Sequence, residues 1–304
     1  MLYISAYTTC CVKIVVESST KELDKMQNKI LLGVHIFPTQ SSFQPDELAR
    51  AAEERSFESV WFSEHTHMPV RFLNASPMPE YYWQTYDIFV AMTLAATATK
   101  NIKVGTGVSL IVERNPIFLA KEAATLDLIS TGRFIFGVGA GWVEAEMTDH
   151  GVEYRTRFQL LKEQIRAIKE IWTTDESEFH GKFVNFDKMK AFPKPYQQPH
   201  PPIIMGGGGE KAIEIAAELC DGWAPWSMEW TKVQEAIAKL KQQAIANGRD
   251  PNSLEISVFE ESIPDKRMIE EMEVAGIKRI IVTIFGQSRE EALPTLDLLA
   301  KINQ

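Results

Sequence analysis

The sequence predicts a (β/α)8 TIM barrel on two observations: from Ile30 onward short apolar runs alternate with helical patterns, and eight such runs occur. Apolar strands joined by amphipathic crossovers call for a parallel sheet, and eight of them suffice to close it. The first run is Ile30 to Ile36, followed by a helix whose first turn carries Pro45, Asp46 and Glu47. Strand two is read over Ser59 to Phe62 and strand three over Ile102 to Ser109. Asn115 and Pro116 mark the next helix start, an N-cap oxygen followed by a residue with no N–H to satisfy. Strand four covers Arg133 to Val138, and Phe158, Leu161, Ile165, Ile168 and Trp172 form one apolar stripe on the helix after it. Strands five to eight are Ile203 to Met205, Gly222 to Pro225, Leu254 to Phe259 and Arg279 to Phe285. Val233, Ile237, Leu240 and Ala244 supply a second helical stripe, while Pro294 is expected to kink the last helix or shift its start.

An irregular piece, Thr173 to Pro202, is an insertion between helix 4 and strand 5, read as a small hairpin around Phe179 to Phe183 and a proline-rich connector. The barrel domain is placed at residues 29–304, with residues 1–28 as an N-terminal tail or extension. With 304 residues and 45% hydrophobic content the chain can bury a large core. A net charge of −9 without a basic cluster argues against nucleic acid and anionic membranes as partners. Apolar runs fall short of the ~18 residues a membrane helix needs, and the first residues lack a secretory pattern, so the expectation is cytoplasmic. Cys10, Cys11 and Cys220 have neither disulfide-framework nor zinc spacing, and Cys220 falls on an apolar helical stripe.

The segment Pro202-Ile-Ile-Met-Gly206-Gly207-Gly208-Gly209-Glu210 carries the chemistry furthest. A buried strand breaks into four glycines and enters a helix, which lays bare backbone N–H groups at a positive helix end. A phosphate-bearing cofactor fits such a loop; a tight turn that binds nothing is the alternative.

Barrel chemistry sits at the C-terminal ends of strands, which selects Glu64 to His67, Gly105 to Ser109 with Asn115, and Gly137 to Trp142 beside the glycine loop. His65 is the candidate proton donor or acceptor. His65 and His67, two apart on an extended segment, also suggest a metal-dependent barrel hydrolase, although no further histidine cluster completes a ligand set. The chain has no Gly-x-Ser-x-Gly elbow, Rossmann fingerprint or Walker lysine. Trp61, Phe62, Tyr81, Tyr82, Trp83, Trp142, Trp223 and Trp226 are numerous enough to wall a flat pocket.

Taken together, Val60 to His65, Ile102 to Val108, Arg114 to Pro116, Leu119 to Asp127, Thr131 to Trp142, Pro202 to Gly209 and Asp221 to Trp223 resemble the bacterial luciferase-like superfamily of flavin- and deazaflavin-dependent oxidoreductases. The pattern looks most like its coenzyme F-420-dependent branch. The resemblance implies hydride transfer between F-420 and a small-molecule substrate, with FMN as the alternative cofactor for a monooxygenase. It implies a non-proline cis peptide at Gly107-Val108, His65 as the active-site histidine, and a cofactor lined by Gly107, Val108, Asn115, Gly139, Ala140 and Gly141 and held by Gly206, Gly207, Gly208 and Gly209. Glu64, Trp142 and Trp223 are assigned to the substrate pocket, and a homodimer is implied because members often form dimers. Two departures matter: Ala140 stands where FMN-binding members carry an arginine, and Trp142 where sugar-phosphate dehydrogenases of the deazaflavin branch carry a glutamate.

Overall fold

The computed structural model describes residues 30–302, so the tail assigned to residues 1–28, with Cys10 and Cys11, lies outside the described residues. Eight parallel strand positions close a barrel. They are β1 (Leu31–Ile36), β2 (Ser59–Phe62), β3 (Lys103–Thr106) continued by β4 (Ser109–Leu110), β5 (Phe134–Gly139), β8 (Ile203–Gly206), β9 (Gly222–Ala224), β10 (Glu255–Glu260) and β11 (Arg279–Thr283). Closure runs through β1–β11 pairing, with Leu31 opposite Arg279. A two-stranded antiparallel hairpin, β6 (Ser177–His180) with β7 (Asn185–Met189), occupies the expected insertion.

The crossover helices are α1 (Pro45–Glu54), α3 (Ile88–Ala98), α4 (Pro116–Ile129), α6 (Arg157–Thr173), α7 (Glu210–Leu219), α8 (Trp230–Ala246), α9 (Lys266–Val274) and α10 (Arg289–Ile302). Two short helices, α2 (Val70–Ala75) and α5 (Glu144–Asp149), lie in the loops after β2 and β5, where the sequence showed no periodic signal. Among the described residues no helix is long and apolar enough to cross a membrane.

Alternation along the strands divides the core in two. Val60, Phe62, Phe134, Phe136, Ile203, Met205, Ile280 and Val282 face the helices, whereas Trp61, Ile135, Ile204, Phe259 and Ile281 fill the barrel. The helical stripes pack as their spacing requires: Leu161, Ile165, Ile168 and Trp172 are buried on α6, as are Val233, Ile237, Leu240 and Ala244 on α8. Cys220 is fully buried and burial pushes its thiol up to about 12, so it is packing, not chemistry.

One expectation needs correction, and one of the two outcomes expected of Pro294 does not occur. The third strand is not continuous: it breaks after Thr106, the Gly107-Val108 peptide is cis, and Ser109 and Leu110 resume pairing with β5. Nor does Pro294 shift the last helix, which starts at Arg289 and runs through it. Proline lacks only the N–H that would have bonded one turn back, and the burial of Ala292, Leu296 and Leu299 holds the helix on the barrel.

The N-terminal floor of the barrel is closed by Arg279, which is fully buried. Its guanidinium grips Glu58 through two bonds, Nε to Oε2 at 2.6 Å and Nη2 to Oε1 at 2.8 Å, and also reaches Glu255 and Ser257. Burial alone would raise the Glu58 carboxyl, but the hydrogen bond and charge of Arg279, helped by Lys103, hold it down at about 2. A carboxyl depressed in the folded state contributes stability above its ordinary value of 4.5 and loses it as pH falls towards about 2. Arg279→Met should therefore destabilise the fold by about 2–4 kcal/mol at neutral pH, by leaving Glu58 with Lys103 alone and Glu255 without its arginine. Urea titrations at several pH values should also show that the variant has lost part of the wild-type decline in stability below about pH 4.5.

Candidate active site at the barrel mouth

The break in the third strand organises the mouth. Past the cis peptide, the Val108 side chain lies against β5 and β8, where glycine makes the approach feasible. A Cβ at Gly139 would fall 2.7 Å from Val108 Cγ2, and one at Gly206 would fall 2.8 Å from Val108 Cγ1. Beneath it, the Gly107 carbonyl accepts from Ser63 Oγ at 3.3 Å, and Ser63 Oγ meets His35 Nε2 at 2.8 Å. His35 also pairs with Thr283 Oγ1 at 3.2 Å. Burial pulls its imidazole down to about 3 against the opposing pull of the Gly107 carbonyl, so this floor histidine is neutral and structural.

Neighbours on the extended end of β2 point opposite ways, and they divide the work. Glu64 turns into the scaffold, where it accepts from Ser109 Oγ at 2.9 Å, from the Leu110 N–H at 2.7 Å and from Arg114 through Nε, at 2.9 Å, and Nη2. With both oxygens engaged, Glu64 ties the third strand to the second, and the substrate-pocket role assigned to it gives way to a structural one. His65 faces the other way. It is 8% exposed, with Nδ1 at 2.8 Å from Glu146 Oε2, and its ring meets Tyr82 and, edge-on, Trp142.

Glu146, on α5, is the group that sequence reading missed. Burial would raise its carboxyl, but the hydrogen bond and charge of His65 and the N–H groups of Thr66 and His67 outweigh it and hold it below the ordinary carboxylate range. An ionised carboxylate only accepts, so His65 Nδ1 carries the proton of this bond. That leaves His65 Nε2 without a protein partner among the described residues, which is the arrangement a proton donor or acceptor needs. The other Glu146 oxygen accepts from the Thr66 N–H at 2.8 Å and from Thr66 Oγ1 at 3.2 Å. Thr66 Oγ1 in turn lies 2.7 Å from His150 Nε2 and 2.9 Å from His67 Nδ1.

The His-x-His reading fails on geometry. His65 addresses Glu146, whereas His67 turns to Asp149 Oδ2 at 3.2 Å. Among the described residues no three histidine, cysteine or acidic side chains converge as a metal would require.

On the far side of the mouth, β8 ends at Gly206 and α7 begins at Glu210, with Gly209 as its cap. Gly207 has φ +98°, a conformation that favours glycine. Its N–H bonds the Ala224 carbonyl at 3.3 Å, and its own carbonyl accepts from Trp223 Nε1 at 2.7 Å. The N–H groups of Gly208 and Gly209 have no partner among the described residues, and a Cβ at Gly209 would meet nothing within 4 Å. A Cβ at Gly208 would fall 3.0 Å from Met228 Sδ, so the loop offers unpaired donors at a helix start with open space at Gly209 and a flexible side chain beside Gly208, a donor set suited to an anionic tail.

Other assignments shift. Trp223 is 0% exposed, so it clamps the glycine loop from below instead of lining a substrate pocket. Asn115 caps α4, its Oδ1 accepting from Ile117 N at 3.0 Å and Phe118 N at 3.3 Å, so its side chain is engaged in starting a helix. Ala140 and Gly141 follow β5 directly, and Trp142 is 49% exposed against Phe72, Tyr82 and His65. Phe37, Tyr81, Tyr82, Trp226 and Phe285 form a contiguous group of rings, with centroids 4.9–6.5 Å apart, around the ends of β1, β9 and β11. A separate groove of about 450 Å3, lined by Phe89, Val90, Leu94, Phe118 and Ile129, lies between α3 and α4 on the helical wall.

Residues 43–296 match the family described as Luciferase-like monooxygenase. An uncharacterised protein of Mycobacterium tuberculosis is 33% identical over 276 residues, spanning 88% of this chain and 96% of its own length. The 5,10-methylenetetrahydromethanopterin reductase of Methanolobus tindarius is 26% identical over 227 residues, covering 75% of this chain and 63% of that protein. Among solved structures, an F-420-dependent secondary alcohol dehydrogenase in complex with an F-420-acetone adduct superposes with TM-score 0.74 at 19% identity, over 90% of this chain and 98% of that one.

Glu64→Gln tests the scaffold role: an amide cannot satisfy Leu110 N–H and the Arg114 fork as a carboxylate does, so the expected loss is about 2–4 kcal/mol in chemical denaturation. A change within about 0.5 kcal/mol would mean that Glu64 is not what anchors the third strand.

Proposed function

Since the chain belongs to the luciferase-like monooxygenase family, whose members are oxidoreductases using flavin or deazaflavin on small organic substrates, we propose that it transfers a hydride between coenzyme F-420 and such a substrate at the barrel mouth. The observation that carries this reading is the pair of N–H groups at Gly208 and Gly209 without a partner among the described residues, at the start of α7, with open space at Gly209 and the flexible Met228 side chain beside Gly208. Preference for F-420 over FMN draws on Ala140, which provides no cation where FMN-binding members are expected to carry an arginine.

When bound, the cofactor ring supplies the hydride chemistry. The protein's residues do the rest. Gly208 and Gly209 would hold the anionic tail through backbone donors, and Trp223 and Ala224 hold the loop in shape through the carbonyl and N–H of Gly207. Val108, packed against Gly139 and Gly206, would give a bound ring a firm ledge. Glu146 fixes the tautomer of His65, whose Nε2 gives or takes the proton that accompanies hydride transfer. Phe37, Tyr81, Tyr82, Trp142 and Trp226 make an apolar wall that keeps water from the reacting atoms.

Calorimetric titration of the purified protein with F-420 and with FMN tests the cofactor assignment; tight FMN binding with no F-420 binding would overturn it. Gly209→Asp separates folding from anion binding. Gly209 has an extended φ of −78° and open space, and aspartate is a favoured helix cap, so stability should hold or rise. Its charge should nonetheless weaken cofactor binding by about tenfold or more, ~1.4 kcal/mol. His65→Gln should keep cofactor affinity within about twofold and lower turnover by about 100-fold, read in steady-state kinetics.

A further inference from the structure

Glu113, which ends the single helical turn Ile111–Glu113 after β4, has no part in the account so far. Its side chain is 1% exposed and neither carboxyl oxygen has a hydrogen-bond partner among the described residues. A Cβ at Gly141, in the loop that follows β5, would lie 3.7 Å from Oε1, and His150 Nε2 lies 3.8 Å from Oε2. The charged and titratable groups that face it are Glu146 from α5, Glu64 from the end of β2, Arg114 next in the chain and His150 just past α5. Helix α6, packed on the same stretch, contributes the uncharged Gln164, whose Nε2 donates to the Arg114 carbonyl at 2.9 Å.

Two neighbouring buried carboxyls do not ionise alike when one has donors and the other has none. Glu146 has His65 and Thr66; Glu64 has Arg114, Ser109 and Leu110. We propose that Glu113 is a positioning residue for the proposed reaction, an uncharged buried acid that keeps its proton so that the negative charge behind His65 rests on Glu146 alone. Burial, with the charges of Glu146 and Glu64, pushes the Glu113 carboxyl up to about 8 against the pull of Arg114, so it keeps its proton through neutral pH. Above that range a second carboxylate appears beside Glu146 without any donor to receive it. The charge then acts on His65 through Glu146, by drawing harder on the Nδ1 proton. This inference rests on His65 being the proton-handling group, but it concerns the protein without cofactor and can be tested there.

The linkage follows from the direction of the shift. A carboxyl raised in the folded state contributes stability that is fully present below its ordinary value of 4.5 and is lost as pH rises through about 8. Glu113→Gln keeps the volume and the neutral state, so its melting temperature should gain on wild type progressively between about pH 4.5 and about pH 8 and hold that lead above. Nitrogen NMR of the His65 ring in the cofactor-free protein should show an inflection near pH 8 in wild type that is missing in Glu113→Gln. Carbon NMR of glutamate-labelled wild type, which needs no variant to fold, should show one carboxyl titrating near that pH. A wild-type protein with no carboxyl titrating above about pH 6, or a His65 inflection that survives in Glu113→Gln, would overturn the proposal. F-420 affinity of Glu113→Gln at neutral pH should match wild type within about twofold; loss of binding by both proteins would sink the cofactor reading and leave these titrations standing.

Discussion

A buried ion pair between Glu64 and Arg114 is the constraint on which the mouth depends. Arg114 is wrapped on every side: Glu64 takes two of its donors, Asp87 Oδ2 lies 2.8 Å from Nη2, Glu122 Oε2 lies 3.4 Å from Nη1, and the guanidinium sits 5.2 Å from the centre of the Phe89 ring. An arginine fork between planar carboxylates is held in orientation as well as in place. Through it the end of β2, the resumed third strand, the cap of α3 and the start of α4 become one rigid piece. His65 gains its fixed position from being the next residue after this clamp, and Val108 from lying one residue before Ser109, whose hydroxyl Glu64 binds.

Charge is distributed unevenly around that piece, and the unevenness has chemical use. His35, beneath the cis peptide, is kept neutral by burial. Glu146 is ionised because donors converge on it, which orients His65 with Nε2 outward. The opposite rim presents the backbone N–H groups of Gly208 and Gly209, without partners among the described residues. An anionic, planar molecule with its tail on that rim would place its ring between a glycine-backed ledge and a histidine of fixed tautomer. Preorganised groups of this kind need not rearrange when charge develops, and that is where a protein scaffold assists a cofactor.

The barrel was legible because its information is local and repetitive. Strand two, Ser59–Phe62, and the stripes on α6 and α8 are visible as periodicity, and Asn115-Pro116 is visible as a helix start. The four glycines from the end of β8 to the start of α7 were equally plain, since glycine has few reasons to occur in such a run. What stayed hidden depends on contacts distant in sequence. Glu146 is 81 residues from His65 and, in Glu144-Ala-Glu146, looks like any acid in a helical first turn; only the closed barrel sets it against the end of β2. Glu64, Trp223 and Asn115 are visible in the sequence at or near strand ends, but what each does in the fold depends on which way its side chain turns. Glu64 and Trp223 turn inward to hold backbone, and Asn115 turns to its own helix. For Glu64 and Trp223, residue type and spacing carry no record of that choice, because a donor 50 residues away and an acceptor 16 residues away decide it.

The central claim is that backbone donors at Gly208 and Gly209 grip the anionic end of a planar redox cofactor. Amide NMR during titration with F-420 tests it most directly. The account predicts that the Gly208 and Gly209 N–H resonances move strongly downfield as these protons enter hydrogen bonds to the anionic tail, with smaller shifts at Val108. Saturating cofactor that leaves both glycine amides unmoved, while resonances elsewhere respond, would contradict it.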